Sequence, residues 1–252
     1  MTTSPPGRGA AAPRPPLLSA RSAALSLMLG AHPGRMSPGD LTRAAVHFGI
    51  PAATVRVALT RAVAAGDLRR EDGDYVLGER LVARQRRQDE AVEDAATVWD
   101  GSWEMAVVVV GGRPGAERAA LRETLAGARL AELREGVWTR PANLRRDPLY
   151  AADPVLTCFR AVPEVAPADL AARLWDLEGW AAEATRLGEV LASTTDPAPR
   201  LAGAAQVVRH LTTDPLLPAA LLPPGWPGPA LRAAYAAYQD ELRSLGAVSP
   251  DA

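Results

Sequence analysis

The chain has 252 residues, 48% of them hydrophobic, with 28 basic residues against 29 acidic ones for a net charge of −1. That length supports two or three small domains with cores of their own, while the longest aliphatic or methionine run, residues 105–110, is far too short to cross a bilayer. Cys158 is the only cysteine, which excludes an intrachain disulfide and fits a reducing cytoplasm, where the protein is expected to reside.

Residues 1–16 are mostly Pro, Gly and Ala, with two arginines; they have almost nothing to bury and no signal-peptide pattern, and read as a flexible, disordered tail. Leu25, Leu27, Met28 and Leu29 then supply the apolar positions of a first helix, and Leu41, Ala44, Ala45 and Phe48 recur at helical spacing in a second. Gly49 ends the second helix and Pro51 suits the first turn of a third, which runs over about residues 51–65 and stops at Gly66. Val55, Ala58, Leu59, Ala62 and Val63 share one face of that third helix, leaving Thr54, Arg56, Thr60 and Arg61 toward the other. Arginine can grip guanine with two hydrogen bonds, and threonine hydroxyls can reach phosphates or base edges, so this set is the candidate for reading double-stranded DNA.

Two short runs, residues 68–70 and 75–77, flank Glu71, Asp72, Gly73 and Asp74; the Asp-Gly pair favours a tight hairpin, with Arg69 and Arg70 placed where a wing meets backbone phosphates. Residues 17–78 thus read as a winged helix-turn-helix; a trihelical interaction module with a solvated charged face is the alternative. Charge supports the DNA reading: residues 1–90 carry 13 arginines against 8 acids, a net +5, and the remainder 15 against 21, a net −6. All basic side chains are arginine, so position carries more weight than residue type.

Residues 79–98 suggest a connecting helix, with Arg84, Arg86 and Arg87 on a solvated face. The unbroken valines up to Val110 predict a buried central strand, stopped by Gly111 and Gly112; a helix over 116–125, a strand or hairpin over 134–140 and a strand over 155–162 follow. These elements suggest a small ferredoxin-like α+β domain over residues 99–165. Leu170, Leu174, Leu177 and Trp180 continue in one amphipathic pattern through Leu191, and a second helix covers about 200–211. The proline-rich segment 214–228 must be a shaped loop, pinned to the core by its leucines and Trp226, before a closing helix over 229–245 completes a C-terminal helical domain spanning 166–246.

Four stretches, ARSAALSLMLG (20–30), VRVALTRAVAAGDL (55–68), WDGSWEMAVV (99–108) and RHLTTDPLLPAALLPPGWPG (209–228), resemble the PaaX family, repressors of phenylacetic acid catabolic operons, and the resemblance covers residues 17–246. It implies an N-terminal winged helix, a middle ferredoxin-like domain similar to the CRISPR-associated adaptation nuclease, a C-terminal helical domain, a homodimer, and repression relieved by an aryl- or acyl-CoA thioester such as phenylacetyl-CoA. A weakly charged wing and a shortened turn before the second helix depart from the family pattern. If a CoA thioester binds, its phosphates need cationic partners: Arg209 with His210 is the candidate pair, with Trp226 beside it in the proline-rich loop. Arg209 could equally cap its helix or pair with Asp214, and Trp175, Trp180 and Trp226 could each line an acyl pocket or simply fill a core.

An enzyme needs a catalytic constellation, and the sequence offers little toward one. His32, His47 and His210 are scattered, Cys158 sits inside a predicted strand, and Gly111, Gly112 and Gly115 lack the order of a phosphate-loop or dinucleotide fingerprint. The similar nuclease fold carries a metal-binding aspartate at the end of its first strand, whereas here that strand ends Val109, Val110, Gly111, Gly112. The expectation is a regulator without catalytic residues, metal or cofactor; a nuclease-like enzyme and a non-DNA-binding scaffold are the alternatives.

Overall fold

The computed structural model describes residues 17–93 and 97–247, so the tail expected over 1–16 and part of the connecting segment lie outside the described residues. The chain divides into two compact units. The first gathers the chain as far as Arg87, Arg186–Val208 and the chain from Ala230; the second gathers Gln88–Thr185 and Arg209–Pro229. The residues expected to form one C-terminal helical domain are therefore shared between both units.

In the first unit, α1 (Ala20–Gly30) starts at Ser19, whose Oγ accepts from Ser22 N at 3.2 Å, and α2 (Pro38–His47) starts at Ser37, whose Oγ accepts from Asp40 N at 3.1 Å. Helix α3 (Ala52–Ala64) follows after a turn in which Gly49 takes a φ of 76°. Met28, Leu41, Val55 and Leu59 are all at most 2% exposed and form the centre of this unit. Strands β2 (Leu68–Glu71) and β3 (Asp74–Leu77) make the expected hairpin, and both turn residues, Asp72 (φ 51°) and Gly73 (φ 90°), adopt the positive φ of a type I′ turn.

A third strand, β1 (Arg35–Met36), pairs antiparallel with β3 and gives the order β1-β3-β2. The sequence pattern does not reveal it, because two residues cannot display a period. Helix α4 (Glu79–Val92) is shorter than the connecting helix expected over 79–98, and its Gln85 Nε2 donates to Leu29 O at 2.9 Å and Ala31 O at 2.8 Å, satisfying carbonyls at the end of α1.

The second unit is built on β4 (Trp103–Val108), α5 (Gly115–Gly127), β5 (Ala131–Arg134), β6 (Val137–Pro141) and β7 (Leu156–Ala161), in an antiparallel sheet of order β5-β6-β4-β7. This is the strand order of a ferredoxin-like sheet, with a 3₁₀ turn (Leu149–Ala152) where a second helix would cross. The chain is an α+β protein. Strand β4 is central but shorter than the valine run: Val109 and Val110 are 57% and 45% exposed, because β6 and β7 offer partners only as far as Val107 and Val108.

One sheet face packs Ala106, Trp138 and Leu156 against Leu121 and Leu125 of α5. On the other, Trp103 packs with Leu170 of α6 (Pro167–Leu174), Leu177 of α7 (Leu177–Ser193) and Leu217 and Leu221 of the proline-rich loop. The single amphipathic pattern expected here is two helices. Trp175 is extended (φ −130°, ψ 138°) and its ring lies 6.4 Å from that of Trp103, while Asp176 Oδ1 accepts from Gly179 N at 2.9 Å and starts α7. Helices α8 (Pro197–Leu211) and α9 (Gly228–Ala247) complete the fold.

Candidate nucleic-acid interface

Helix α3 presents two chemically distinct sides. Val55, Ala58, Leu59 and Ala62 are buried, and Val63 is half-buried at the margin. Thr54, Arg56, Thr60 and Arg61 are all exposed, so the structure brings the four helix residues together on one solvent-facing surface. Thr60 Oγ1 donates to Arg56 O at 3.0 Å, which spends its proton on the helix and leaves its lone pairs free to accept.

The wing departs from a simple basic hairpin. Arg69 pairs with Glu71 at 3.2 Å, and Arg70 lies over the Tyr75 ring at 4.6 Å with its charged head accessible. Arg35, on the strand that sequence reasoning missed, donates through Nε to Asp74 at 2.8 Å and lies 3.5 Å from Asp72. The hydrogen bond to Asp74 is the main reason that its pKa is raised. Three wing acids thus have arginine partners, which reduces the repulsion a phosphate backbone would meet there.

At the base of the wing, Asp67 is 1% exposed and accepts hydrogen bonds from both Arg21 of α1 and Arg80 of α4. Burial acts to raise its pKa, but the two arginines outweigh it and hold the carboxyl below its ordinary value. Its carbonyl accepts from Gly78 N at 2.7 Å, and a Cβ on Gly78 would lie 2.1 Å from Gly66 O, so glycine is required where the two ends of the wing meet. One carboxylate therefore ties the exit of α3 to α1 and α4.

In the second unit the proline-rich loop is held by a buried polar clamp. Arg140, fully buried, donates through Nη2 to Asn143 Oδ1 at 2.9 Å and to Leu216 O at 3.2 Å, and Asn143 Nδ2 donates to Leu216 O at 2.9 Å. Leu216 has a φ of 50°, a left-handed conformation that this pair of donors stabilises. Desolvation, aided by the nearby Arg146, lowers the Arg140 pKa to about 9. Two of the three effector candidates are also brought together: Trp180 stacks with both His210 and Trp226, each at 4.5 Å between ring centroids, and His210 Nε2 lies 3.0 Å from Trp180 O. Arg209 is exposed.

Comparisons with known proteins match most of this chain. Residues 19–81 match the family described as PaaX-like protein, residues 96–156 the PaaX protein central Cas2-like domain, and residues 178–248 the PaaX-like protein C-terminal domain. The solved structure of an uncharacterized protein from Mycobacterium tuberculosis is 47% identical, with a TM-score of 0.76, over 90% of this chain and 97% of that one. The chain belongs to the PaaX family. None of the curated proteins matches it.

PaaX proteins are regulatory rather than enzymatic as a group, and membership points to transcriptional regulation of phenylacetic acid catabolism. In this PaaX-family chain the candidate DNA residues were legible from helical periodicity and hairpin chemistry. Arg21, Arg35 and Arg80 were not, since each works through a partner 13 to 46 positions away in the chain. Trp180 is 8% exposed and takes its place as the ring that both effector candidates stack on. Cys158, expected inside a strand, is half-buried in β7 beside Ala106, and burial first, with Glu104 second, raises its thiol pKa. Among the described residues, no group of three or more His, Cys, Asp or Glu is placed to hold a metal ion, and no helix is long and apolar enough to cross a membrane.

Proposed function

We propose that the chain binds double-stranded operator DNA as a homodimer and represses an aromatic-acid catabolic operon of the phenylacetate type in the cytoplasm. The observation that carries this reading is the solvent-facing set Thr54, Arg56, Thr60 and Arg61 on a helix whose opposite face is buried, followed at once by the Arg69 and Arg70 hairpin. In such a dimer two-fold related helices would contact half-sites about 34 to 36 Å apart or a multiple of that spacing. Arg56 and Arg61 supply base or phosphate contacts, Thr54 accepts or donates and Thr60 accepts at the groove edge, and Arg70 engages phosphate from the wing.

Release is assigned to an aryl- or acyl-CoA thioester, phenylacetyl-CoA being the first to test, with Arg209, His210 and Trp226 as its candidate contacts. Support comes from the stacked His210, Trp180 and Trp226 rings beside a loop whose path a buried arginine maintains. An effector that binds free and DNA-bound forms equally shifts nothing, so a tenfold loss of operator affinity requires about 1.4 kcal/mol of coupling. Fluorescence anisotropy with duplexes tiled across the promoter upstream of the gene is the direct assay. A saturable, sequence-selective complex that phenylacetyl-CoA weakens is expected; binding no tighter than to random duplex would refute the reading.

A further inference from the structure

Between β4 and α5 the chain runs Val109, Val110, Gly111, Gly112, Arg113, Pro114, and this turn borders a cavity of about 310 Å³. Arg113, Arg118 and Arg122 line it together with Glu132 and Glu135 and the apolar Trp138. The acids do not occupy all three arginines. Arg122 Nη1 is 2.8 Å from Glu132 Oε2, and Arg113 Nε is 3.6 Å from Glu117 Oε2, whereas the Arg118 guanidinium has no hydrogen bond or ion pair with any described residue.

The backbone adds donors to this basic wall. Among the described residues, the N–H groups of Gly111, Gly112 and Arg113 donate to no backbone acceptor outside the helices and strands. Gly111 has no positive φ, and a Cβ on it would meet nothing within 4 Å. Neither backbone conformation nor packing demands glycine there; what glycine does is leave the peptide edge bare to whatever enters the cavity.

A free guanidinium and a run of undonated N–H groups on one cavity are features that hold a phosphate. We propose that this cavity binds the phosphate groups of a small phosphorylated molecule, of pyrophosphate to nucleotide size. Arg118 takes the phosphate charge, the turn at Gly111 and Gly112 supplies backbone donors, and Glu135 is the carboxylate that such an anion must overcome. The proposal stands apart from the operator-binding reading, since none of these residues belongs to α3 or the wing.

The test is calorimetry on the full chain with inorganic pyrophosphate, ADP, adenosine 3′,5′-bisphosphate and CoA, with a short non-operator duplex as the arm for a nucleic-acid backbone. Saturable heat is expected from the small phosphorylated probes, with pyrophosphate competing against the nucleotides. Arg118→Gln should weaken them by about tenfold or more, and Glu135→Gln should tighten them. Gly111→Val, which covers the peptide edge without touching a charge, should abolish binding at an unchanged melting temperature, so the outcome does not hang on the arginine variant folding. Operator affinity without ligand, measured in parallel, is expected to be equal in all three, which separates failure here from failure of the DNA reading. Silence from every small phosphate, heat from the duplex alone, or an Arg118→Gln protein that binds as the parent does would each overturn the proposal.

Discussion

Replacing Asp67 by Asn keeps the volume and removes only the charge that Arg21 and Arg80 share. Hydrogen bonds to a charged group are worth about 1.5 to 3 kcal/mol each. Both must be discounted, because the Arg21 and Arg80 side chains are 47% and 78% exposed and recover hydration when released. A net loss of about 2 kcal/mol remains, which for a chain of this size lowers the melting temperature by roughly 4 to 8 °C. The pH dependence makes the test specific. The Asp67 pKa is depressed below its ordinary 3.8, so the stabilisation is fully present above that value and is lost as pH falls through the lower, folded-state pKa. Thermal melts of parent and Asp67→Asn should therefore differ at pH 7 and converge in acid, where the parent carboxyl is protonated and also neutral. A difference under 1 °C at neutral pH, or one that persists unchanged into acid, would refute the assignment of Asp67 as an ionic tie.

Arg56→Ala should weaken operator binding by roughly 1 to 3 kcal/mol in anisotropy titrations with little change in melting temperature, whereas Leu59→Ala, 2% exposed, should cost about 2 to 5 kcal/mol of stability in denaturant melts. Normal affinity and sequence preference in Arg56→Ala would remove that residue from the recognition set. Arg140→Ala leaves Leu216 O with Asn143 alone and opens buried space, at a cost of about 3 kcal/mol, and should speed proteolysis within residues 214–228; parent-like digestion would show that the clamp does not hold the loop. Cys158, with its thiol pKa raised by burial, should react with iodoacetamide at pH 8 more slowly than free cysteine does, and an equal rate would contradict its packing in β7.

The helices of the first unit, the hairpin and the outward set on α3 were all legible in the chain, because each depends on residues within a few positions of one another. Helical periodicity separates Leu59 from Arg56, and Asp72 with Gly73 sets the turn whatever packs nearby. The ferredoxin-like strand order was also within reach, since β4, α5, β6 and β7 carry distinct local patterns. Where pattern and outcome diverged, a contact distant in sequence decided. The valine run ends as a strand at Val108 because its partners end, not because its composition changes. One amphipathic stretch becomes α6 and α7 because the Trp175 ring packs beside Trp103, some seventy positions earlier.

The sites divide in the same way. Composition and spacing nominate Arg56 and Arg70 as surface cations, yet nothing local marks Arg140 as a fully buried one, Arg35 as the partner of the wing acids, or Asp67 as a tie between three helices. An isolated charge in a sequence carries no sign of its counter-ion, since ion pairs and desolvation arise only when the chain folds back on itself. The sequence by itself determined which segments are helical, which face of each is apolar and which family the chain resembles. Tertiary structure alone decided which arginines are spent on holding the fold and which, like Arg56 and Arg118, keep their charge available to an anionic partner, because that depends on carboxylates brought near from distant parts of the chain.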